Sequence, residues 1–300
     1  MNSILNHMKK NSLPSLLLLM ILGMLFIQCK KTNRTSMEAE KSDTIATASY
    51  IVRDTIPVGV QALLASYPQH VINYKNGKLI LVNGDSILYD DCREKSFVEK
   101  LDDADPEDMF AFAYYPDSVK PGYLQDAGRS RCELFFKYMY GKTELEVRKH
   151  LVPVSWFGES VLFTTVNSAS DSLKAVENDL MHLSNINDLR PYLKSSGTFY
   201  WRPVRGANRL SAHSYGMTID IGVALSDYWL WKNPGKSETE KIVYANRVPK
   251  EIVDAFERHG FIWGGRWYHF DTMHFEFRPE ILYYAIHNMT DNNRYSYDNN

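Results

Sequence analysis

The strongest constraint on the fold of this chain is an alternation of residue types that begins at Met217. Apolar side chains occupy every second position from Met217 to Val223, and Thr218, Asp220 and Gly222 stand between them. A period of two is typical of a strand with one buried face. The pattern therefore predicts a half-buried strand from which the Asp220 carboxylate points away from the core.

A histidine precedes this strand at a spacing that requires a turn. His213 lies seven residues before Asp220, and this odd spacing would put the two side chains on opposite faces of a straight strand. Gly216 lies between them and tolerates the backbone angles of a tight turn. We therefore expect the chain to turn at Gly216 and to bring an imidazole and a carboxylate to one point, as a divalent metal requires.

A second segment repeats this combination of residue types. His274 opens another apolar run, and Asp271 lies three residues before it, after the aromatic-rich segment 263–270. His213, Asp220 and His274 are together three ligands of the types that catalytic zinc uses, and a fourth position is left for water. A structural zinc site closed by cysteines is excluded, because the chain has 3 cysteines and no C-x-x-C pair.

The order and spacing of these residues resemble a known family. The chain contains S-x-H-x-x-G-x-x-x-D from Ser211 to Asp220, then W-G-G-x-W at 263–267, then D-x-x-H-F-E from Asp271 to Glu276. These motifs resemble the D-alanyl-D-alanine carboxypeptidase and L-alanyl-D-glutamate endopeptidase family of zinc peptidases, whose wider group includes lysostaphin and the Hedgehog signalling domain. The resemblance covers residues 195–279.

The resemblance implies a role for each matching residue. His213, Asp220 and His274 would bind one zinc ion, and Asp271 would be the general acid/base, where many relatives have Glu. Zinc lowers the pKa of water toward about 7. An unperturbed Asp has a pKa of about 3.9, so Asp271 needs a raised pKa for this work.

The family also places an arginine near the metal, where it stabilises the oxyanion and holds the substrate. Arg202 fits that position best, and Arg205 and Arg209 are the alternatives.

Three further residues are candidates for supporting roles around the metal. Ser211 is interpreted as a hydrogen-bonding support rather than a nucleophile, because it lies so close to a ligand. His269 is a candidate hydrogen-bond partner of a metal ligand, since metal ligands usually need such partners. For Glu276 two interpretations stay open, a partner of the ligands or a solvated strand residue. Gly264 and Gly265 lack the Lys and Ser/Thr of a phosphate loop, so we expect a tight turn there.

The order of helical and extended patterns predicts the fold class. Strands and helices alternate without regular βαβ units, which favours an α+β fold: an antiparallel sheet with flanking helices, as in the D-Ala-D-Ala peptidases and the Hedgehog domain. The sequence predicts helices at 129–140, 144–150, 171–183 and 249–259, and strands at 161–166, 199–201, 217–225 and in a pair within 261–277.

The remaining sequence is divided by composition. Residues 50–126 alternate short apolar runs with the turn signals 75–78 and 83–85, which predicts an N-terminal β-hairpin appendage. Residues 127–288 form the predicted zinc peptidase domain, and residues 289–300 form a predicted disordered tail.

The N-terminus has the pattern of an export signal. Lys9 and Lys10 precede an apolar run at 13–27, and Cys29 follows at once. Residues 1–29 resemble a bacterial lipoprotein signal in which Cys29 becomes lipidated, although Gln28 stands where a small residue is usual. An uncleaved anchor and ordinary signal cleavage are the alternatives. Residues 30–49 read as a flexible linker, and we expect a membrane-anchored lipoprotein of the cell envelope that faces the periplasm or the cell exterior.

Composition limits the function further. The net charge of −2 and the pI of about 6.5 provide no basic field for a polyanion, so nucleic acid is excluded as a partner. Whether Cys92 and Cys132 pair is left open. The sequence predicts an exported, monomeric zinc metallopeptidase that cuts a peptidoglycan stem peptide, as a carboxypeptidase or an endopeptidase. The alternative is a catalytically silent zinc-containing module that binds the cell wall or a protein.

Overall fold

The computed structural model describes residues 56–116 and 120–297. The predicted signal peptide, the linker and Cys29 lie outside the described residues. Across the described ranges, no helix is both long and apolar enough to span a bilayer.

The described chain combines helices with antiparallel strands, which confirms the predicted α+β class. The helices are α1 (Val58–Ser66), α2 (Phe97–Asp102), α3 (Glu133–Tyr140), α4 (Glu144–Arg148), α5 (Ala169–Met181), α6 (Ile186–Leu189), α7 (Trp229–Lys232), α8 (Lys250–Arg258) and α9 (Pro279–Tyr297). The strands are β1 (Val71–Lys75), β2 (Lys78–Leu81), β3 (Ser86–Leu88), β4 (Leu151–Trp156), β5 (Glu159–Thr164), β6 (Ser195–Gly197), β7 (Thr218–Ile221), β8 (Phe261–Trp263) and β9 (His274–Phe277).

A four-stranded antiparallel sheet positions the two motifs. Its strand order is β6-β7-β9-β8, and in the register of β7 with β9 Asp220 lies opposite His274. Ile219 pairs with Phe275 at the next position, and both side chains are fully buried. Phe256 of α8 stacks on Phe275 with ring centroids 3.9 Å apart. Because a shift by one residue would expose these buried side chains, the core fixes the register that brings Asp220 to His274.

Several predicted elements are confirmed. Helices α3, α4, α5 and α8 overlap the four predicted helices, and β5 overlaps the predicted strand at 161–166. Strands β1, β2 and β3 form consecutive antiparallel hairpins across the two predicted turns. Asn76 and Gly77 both have positive φ in the first turn, as a two-residue hairpin loop of this hand requires.

Two strand predictions in the motif region were wrong in extent. The predicted strand at 199–201 is absent, since β6 ends at Gly197 and the backbone N–H of Tyr200 donates to the His213 carbonyl at 3.2 Å. The predicted strand at 217–225 ends at Ile221 because Gly222 adopts φ +55°, and a Cβ there would lie 2.5 Å from the Tyr192 carbonyl oxygen. The backbone therefore turns at Gly222, although the alternation of apolar and polar residues in the sequence continues to Val223.

The N-terminal region contains two helices, α1 and α2, where the sequence predicted only hairpins. Helix α1 is the longer of the two. Helix α1 buries Gly59, Val60, Ala62 and Leu63 and packs against α9. Apolar and small residues nearly surround it, so it lacks the helical period that would have identified it. Residues just after α1 also reach the C-terminal half, since the Tyr67 hydroxyl donates to Glu280 at 2.5 Å.

The predicted domain boundary after residue 126 stays a prediction. Helix α9 extends into the segment 289–300, for which the sequence predicted a disordered tail.

Cys132 is buried directly before α3, Cys92 is exposed, and no disulfide joins the two.

Candidate metal centre

The structure brings the three predicted ligands together. Donor atoms of His213, Asp220 and His274 all lie within 4.8 Å of one another. His213 Nε2 is 3.3 Å from Asp220 Oδ2, and His274 Nδ1 is 2.9 Å from Asp220 Oδ1. One carboxylate therefore lies between two imidazoles, at separations that allow all three side chains to reach one ion.

The predicted turn at Gly216 is confirmed and places His213. Residues Ala212–Tyr215 form one 3₁₀ turn, and Gly216 ends it with φ +66°. A Cβ at Gly216 would lie 2.3 Å from Leu151 Cδ2, so β4 closes against the glycine. Strand β7 starts two residues later, at Thr218. Glycine is thus required at position 216 for two reasons: its backbone angle and the lack of space for a Cβ.

Each histidine is held by the ring nitrogen that faces away from Asp220. His213 Nδ1 donates to the Thr198 carbonyl at 2.5 Å, which leaves Nε2 available to a metal ion. His274 Nε2 is 3.4 Å from Glu276 Oε2, which leaves Nδ1 available to a metal ion. Such partners orient ligand imidazoles and raise their basicity. Two imidazole nitrogens and one carboxylate are a donor set that suits catalytic zinc.

The charges of the cluster favour a cation. Burial raises the pKa of Asp220, but the two imidazoles outweigh this and hold that pKa well below its usual range. Burial lowers the pKa of His274, but hydrogen bonds with Asp220 and Glu276 outweigh it and raise the pKa to about 10. The carboxylates thus hold a positive charge at His274, and a divalent cation can take the place of this proton.

Asp271 lies beside the cluster with an unused carboxylate oxygen. Its backbone N–H donates to the Gly264 carbonyl at 3.0 Å, and its Oδ1 is enclosed without a hydrogen-bond partner among the described residues. Burial and the negative charge of Asp220 raise the pKa of Asp271 to about 7. An enclosed carboxylate oxygen without a partner costs free energy, so the arrangement favours a ligand or water there.

Residues 205–277 match a protein-family model described as D-alanyl-D-alanine carboxypeptidase. The match confirms the predicted resemblance to this peptidase family over residues 205–277. It spans His213, Asp220, Asp271 and His274, the residues that the structure gathers around one point. Searches of curated proteins and of solved structures returned no match to the chain.

The three candidate arginines occupy different places, and Arg202 lies just before the segment that matches the carboxypeptidase model. We call His213, Asp220 and His274 the ligand cluster. Arg202 and Arg205 are exposed, and both line a cavity of about 770 Å³ whose wall also includes the ligand cluster and Asp271. Arg209 lines the same cavity, but its Nε donates to Asp102 at 2.9 Å.

The three supporting candidates also differ. Glu276 is fully buried and accepts from Arg278 at 2.9 Å while it faces His274, so it supports a ligand and is not solvated. Ser211 is buried, and its backbone N–H donates to the Arg202 carbonyl at 3.0 Å. His269 lies on the cavity wall, and its Nδ1 is 2.5 Å from Asp126 rather than beside the ligand cluster.

Sequence reasoning missed two arginines that reach the cavity from far before the matched segment. Arg129 and Arg131 line the cavity, and Asp126 accepts a hydrogen bond from Arg129 at 2.9 Å. They belong to no motif, and their spacing predicted only the start of a helix. The Thr198 carbonyl that orients His213 was also missed, because a backbone group has no residue signature.

Proposed function

We propose that the protein is a zinc-dependent peptidase that hydrolyses a peptide bond in peptidoglycan stem peptides, as a D-alanyl-D-alanine carboxypeptidase or an L-alanyl-D-glutamate endopeptidase. The observation that carries this proposal is the convergence of donor atoms of His213, Asp220 and His274 within 4.8 Å, with the Asp271 carboxylate beside them. The family match over residues 205–277 supports peptidase chemistry.

The donor set assigns a role to each ligand. His213 would hold the ion through Nε2, His274 through Nδ1, and Asp220 through its carboxylate. A zinc ion supplies Lewis-acid activation of water and of the scissile carbonyl when bound. The protein holds both imidazoles in position through the Thr198 carbonyl and Glu276.

Asp271 is the proposed general acid/base. Its carboxylate takes a proton from the attacking water and delivers it to the leaving amine. A group with a pKa of about 7 can accept and return protons near neutral pH. The enclosed Oδ1 is the atom available for this transfer.

Arg202 is proposed to stabilise the oxyanion and to hold the substrate at the cavity rim. Among the described residues its guanidinium donates only to the Pro203 carbonyl, at 3.4 Å. An exposed guanidinium with one weak hydrogen bond can turn toward a bound peptide. Arg205, on the same rim, is the alternative residue for this role.

The setting of the reaction follows from the N-terminal sequence. We propose an exported, monomeric lipoprotein attached to the membrane through Cys29, because Lys9, Lys10 and the apolar run at 13–27 have the pattern of a lipoprotein signal. Peptidoglycan is outside the cytoplasmic membrane, so this location would bring enzyme and substrate together.

The test uses the purified full chain. Bound zinc is measured by elemental analysis, and digests of defined muropeptides are weighed by mass spectrometry. We expect one zinc per chain, cleavage by the wild type, and retained zinc without cleavage for Asp271→Ala. The product masses distinguish removal of a terminal D-alanine from internal cleavage. One bound zinc with no cleavage of several muropeptides would contradict the proposal and favour a silent binding module.

A further inference from the structure

Helix α7 and the residue before it form one wall of the cavity. Tyr228, Trp229, Leu230 and Trp231 all line the cavity that holds the ligand cluster. Trp231 is 57% exposed, whereas the other five tryptophans, all within the described ranges, are buried or half-buried. The proposed catalytic steps do not use this exposed indole, although it lies on the same wall as the candidate metal centre.

Backbone contacts hold α7 beside the proposed general acid/base. Tyr228 forms an antiparallel β-bridge with Asp271. The backbone N–H of Trp229 donates to the Phe270 carbonyl at 2.8 Å. The backbone N–H of Trp231 donates to the Tyr228 carbonyl at 3.0 Å, one turn further along the chain. A β-bridge separates two Cα atoms by about 5 Å and one helical turn adds about 5 Å, so Trp231 lies within about 10 Å of Asp271.

Ring contacts orient the indole of Trp231 without covering it. The Tyr228 ring meets the Trp231 ring edge-on, with centroids 5.6 Å apart and an interplanar angle of 76°. The buried ring of Trp229 packs against His269 with centroids 4.6 Å apart. A side chain that is already held in one orientation loses little conformational entropy when a ligand packs on it.

The surroundings of Trp231 favour a small ring that has both apolar and polar parts. Lys232 is exposed next to it and pairs with Asp227 at 3.1 Å. Glu238 lies near α7, since its carbonyl is 2.8 Å from His269 Nε2, and its side chain is 39% exposed on the cavity wall. A flat indole can pack on the C–H face of a pyranose ring, while charged neighbours bind the hydroxyl and acetamide groups at its edge. A lipid surface or a protein partner would need a larger apolar patch than one indole.

We propose that Trp231 and the edge of Tyr228 form a subsite for a sugar ring of the glycan strand, the N-acetylmuramic acid that bears the stem peptide. This inference rests on the proposed peptidase function and specifies its substrate class. The substrate is then a stem peptide that is still attached to its sugar, rather than a free peptide.

The position of this sugar subsite selects between the two candidate peptidoglycan bonds. The L-alanyl carbonyl is separated from N-acetylmuramic acid by one residue and one lactyl group, about 7 Å of extended chain. The D-alanyl-D-alanine bond is three residues farther along, about 10 Å more. In an extended chain, only the first bond reaches the metal centre while the sugar packs on an indole within about 10 Å of Asp271. The sugar subsite therefore predicts cleavage of the L-alanyl-D-glutamate bond.

The experiment compares two peptides that differ only in the sugar, with the zinc-loaded full chain. One is an N-acetylmuramyl-L-Ala-γ-D-Glu peptide, and the other is the same peptide with a lactyl group in place of the whole muramyl group. We expect kcat/KM to be about tenfold higher for the muramyl peptide, mainly through KM, because the sugar packs on the protein away from the reacting atoms.

Variants assign this preference to the indole. Trp231→Ala should reduce the muramyl-to-lactyl ratio to about one, and Trp231→Phe should retain part of it because a smaller flat ring remains. Tyr115→Ala is the matched control, since Tyr115 is 45% exposed and does not line the cavity. It should keep the wild-type ratio. Zinc content and thermal unfolding are measured for every variant.

A binding measurement tests the sugar subsite independently of catalysis. Titration with N-acetylmuramyl-L-alanine should move the tryptophan fluorescence of the wild type to shorter wavelength, because the sugar covers an indole that solvent now reaches. Trp231→Phe should lack this shift, and lactyl-L-alanine should not produce it in the wild type. A shift of equal size in Trp231→Phe would contradict the assignment to this residue.

The outcomes separate this inference from the proposed function. A wild-type ratio below about twofold, a ratio that survives in Trp231→Ala, or cleavage of a D-alanyl-D-alanine peptide alone would overturn the sugar subsite while the peptidase proposal stands. Absence of cleavage of all three peptides and of muropeptides by the zinc-loaded wild type would overturn the proposed function, and this inference with it.

Discussion

Two histidine–aspartate clusters contribute histidines to the same cavity wall, and they differ in how their ring nitrogens are used. In the structural pair, His269 Nδ1 is 2.5 Å from Asp126 and Nε2 is 2.8 Å from the Glu238 carbonyl. In the ligand cluster, His213 and His274 each direct one nitrogen at the single carboxylate of Asp220. Both clusters are largely buried, so burial does not separate them.

The difference shows what distinguishes a candidate metal site from a structural histidine. The protein itself satisfies both nitrogens of His269, and Arg129 balances the charge of Asp126 at 2.9 Å. The ligand cluster has two imidazoles for one carboxylate, with a further carboxylate at Asp271 nearby. When more metal-binding side chains converge on one point than the protein can pair with one another, they are available to a cation.

The first and largest expected effect concerns zinc itself. His274→Ala should abolish zinc binding at neutral pH and lower kcat/KM by about a thousandfold or more, because Lewis-acid stabilisation worth several kcal/mol is lost. Elemental analysis and peptide cleavage measure the two effects together. His269→Ala is the matched control from the other cluster, and it should retain one zinc per chain while its thermal stability falls. Zinc loss from both variants alike would contradict the distinction between the clusters.

The second prediction separates chemistry from metal binding within the ligand cluster. Asp271→Asn keeps the shape of the side chain and removes its ability to accept a proton. We expect zinc content to be unchanged and kcat to fall by about 10²–10⁴-fold, the usual contribution of a general acid/base. Zinc titration and steady-state kinetics test this. If Asp271→Asn lost zinc as His274→Ala does, Asp271 would be a ligand rather than the proton carrier.

The sequence could predict the turn and the strand that carry His213 and Asp220 because their signals are local, and it indicated His274 through the D-x-x-H-F-E motif and its resemblance to the family. The seven-residue spacing of His213 and Asp220, the glycine between them and the alternation of β7 together require a turn and a strand. The register with β9 then follows from the buried faces of Ile219 and Phe275. These features depend on side-chain period and backbone angle, which a single sequence contains.

The sequence could not predict contacts that depend on distant segments. Asp126 and His269 are 143 positions apart and belong to no shared pattern. Tyr200 lies in an aromatic run typical of strands, but hydrogen bonding to the turn at His213 holds that run outside the sheet. Helix α1 is nearly uniformly apolar, so no period marked it. In each case tertiary contacts overrode the local preference.

The third prediction tests the structural pair through its pH dependence. Burial raises the pKa of Asp126, but Arg129 and His269 outweigh this and lower it. A lowered pKa in the folded state stabilises the fold above the unfolded value of about 3.9, and this stabilisation is lost as the pH falls further. Asp126→Asn should therefore lower the free energy of unfolding by about 3 kcal/mol at pH 7, because breaking a buried pair is costly.

Urea unfolding between pH 7 and pH 3 measures this difference. The difference should begin to shrink below about pH 4, because Asp126 takes up a proton in the unfolded chain at a higher pH than in the folded protein, where its pKa is lowered. Asp179→Asn is the control, since Asp179 pairs with Arg258 at the surface, and its effect should stay below about 1 kcal/mol. A constant difference down to pH 3 would show that the charge of Asp126 is not what stabilises the pair.

The smallest expected effect lies at the back of the ligand cluster, where Glu276 faces His274. Glu276→Gln should weaken zinc binding by about 10- to 100-fold, the usual cost of losing a partner of a metal ligand. Competition with a chelator of known affinity measures it. Glu280→Gln is the closest control, because Glu280 is equally buried and bonds the same Arg278 without facing His274.

Variants of Glu276 and Glu280 also test two roles of the buried charges separately: orientation of His274 and stabilisation of the fold. Glu280 accepts from Tyr67, so Glu280→Gln should lower thermal stability and leave zinc affinity unchanged. Glu276 and Glu280 are linked through one guanidinium, and equal zinc weakening by both variants would mean that the whole charged chain orients His274. Weakening by Glu276→Gln alone would confine that role to the carboxylate 3.4 Å from Nε2. The orientation of His274 in the zinc complex would then depend on one carboxylate at Nε2, whereas Asp126 and the Glu238 carbonyl hold His269 at both ring nitrogens without a metal.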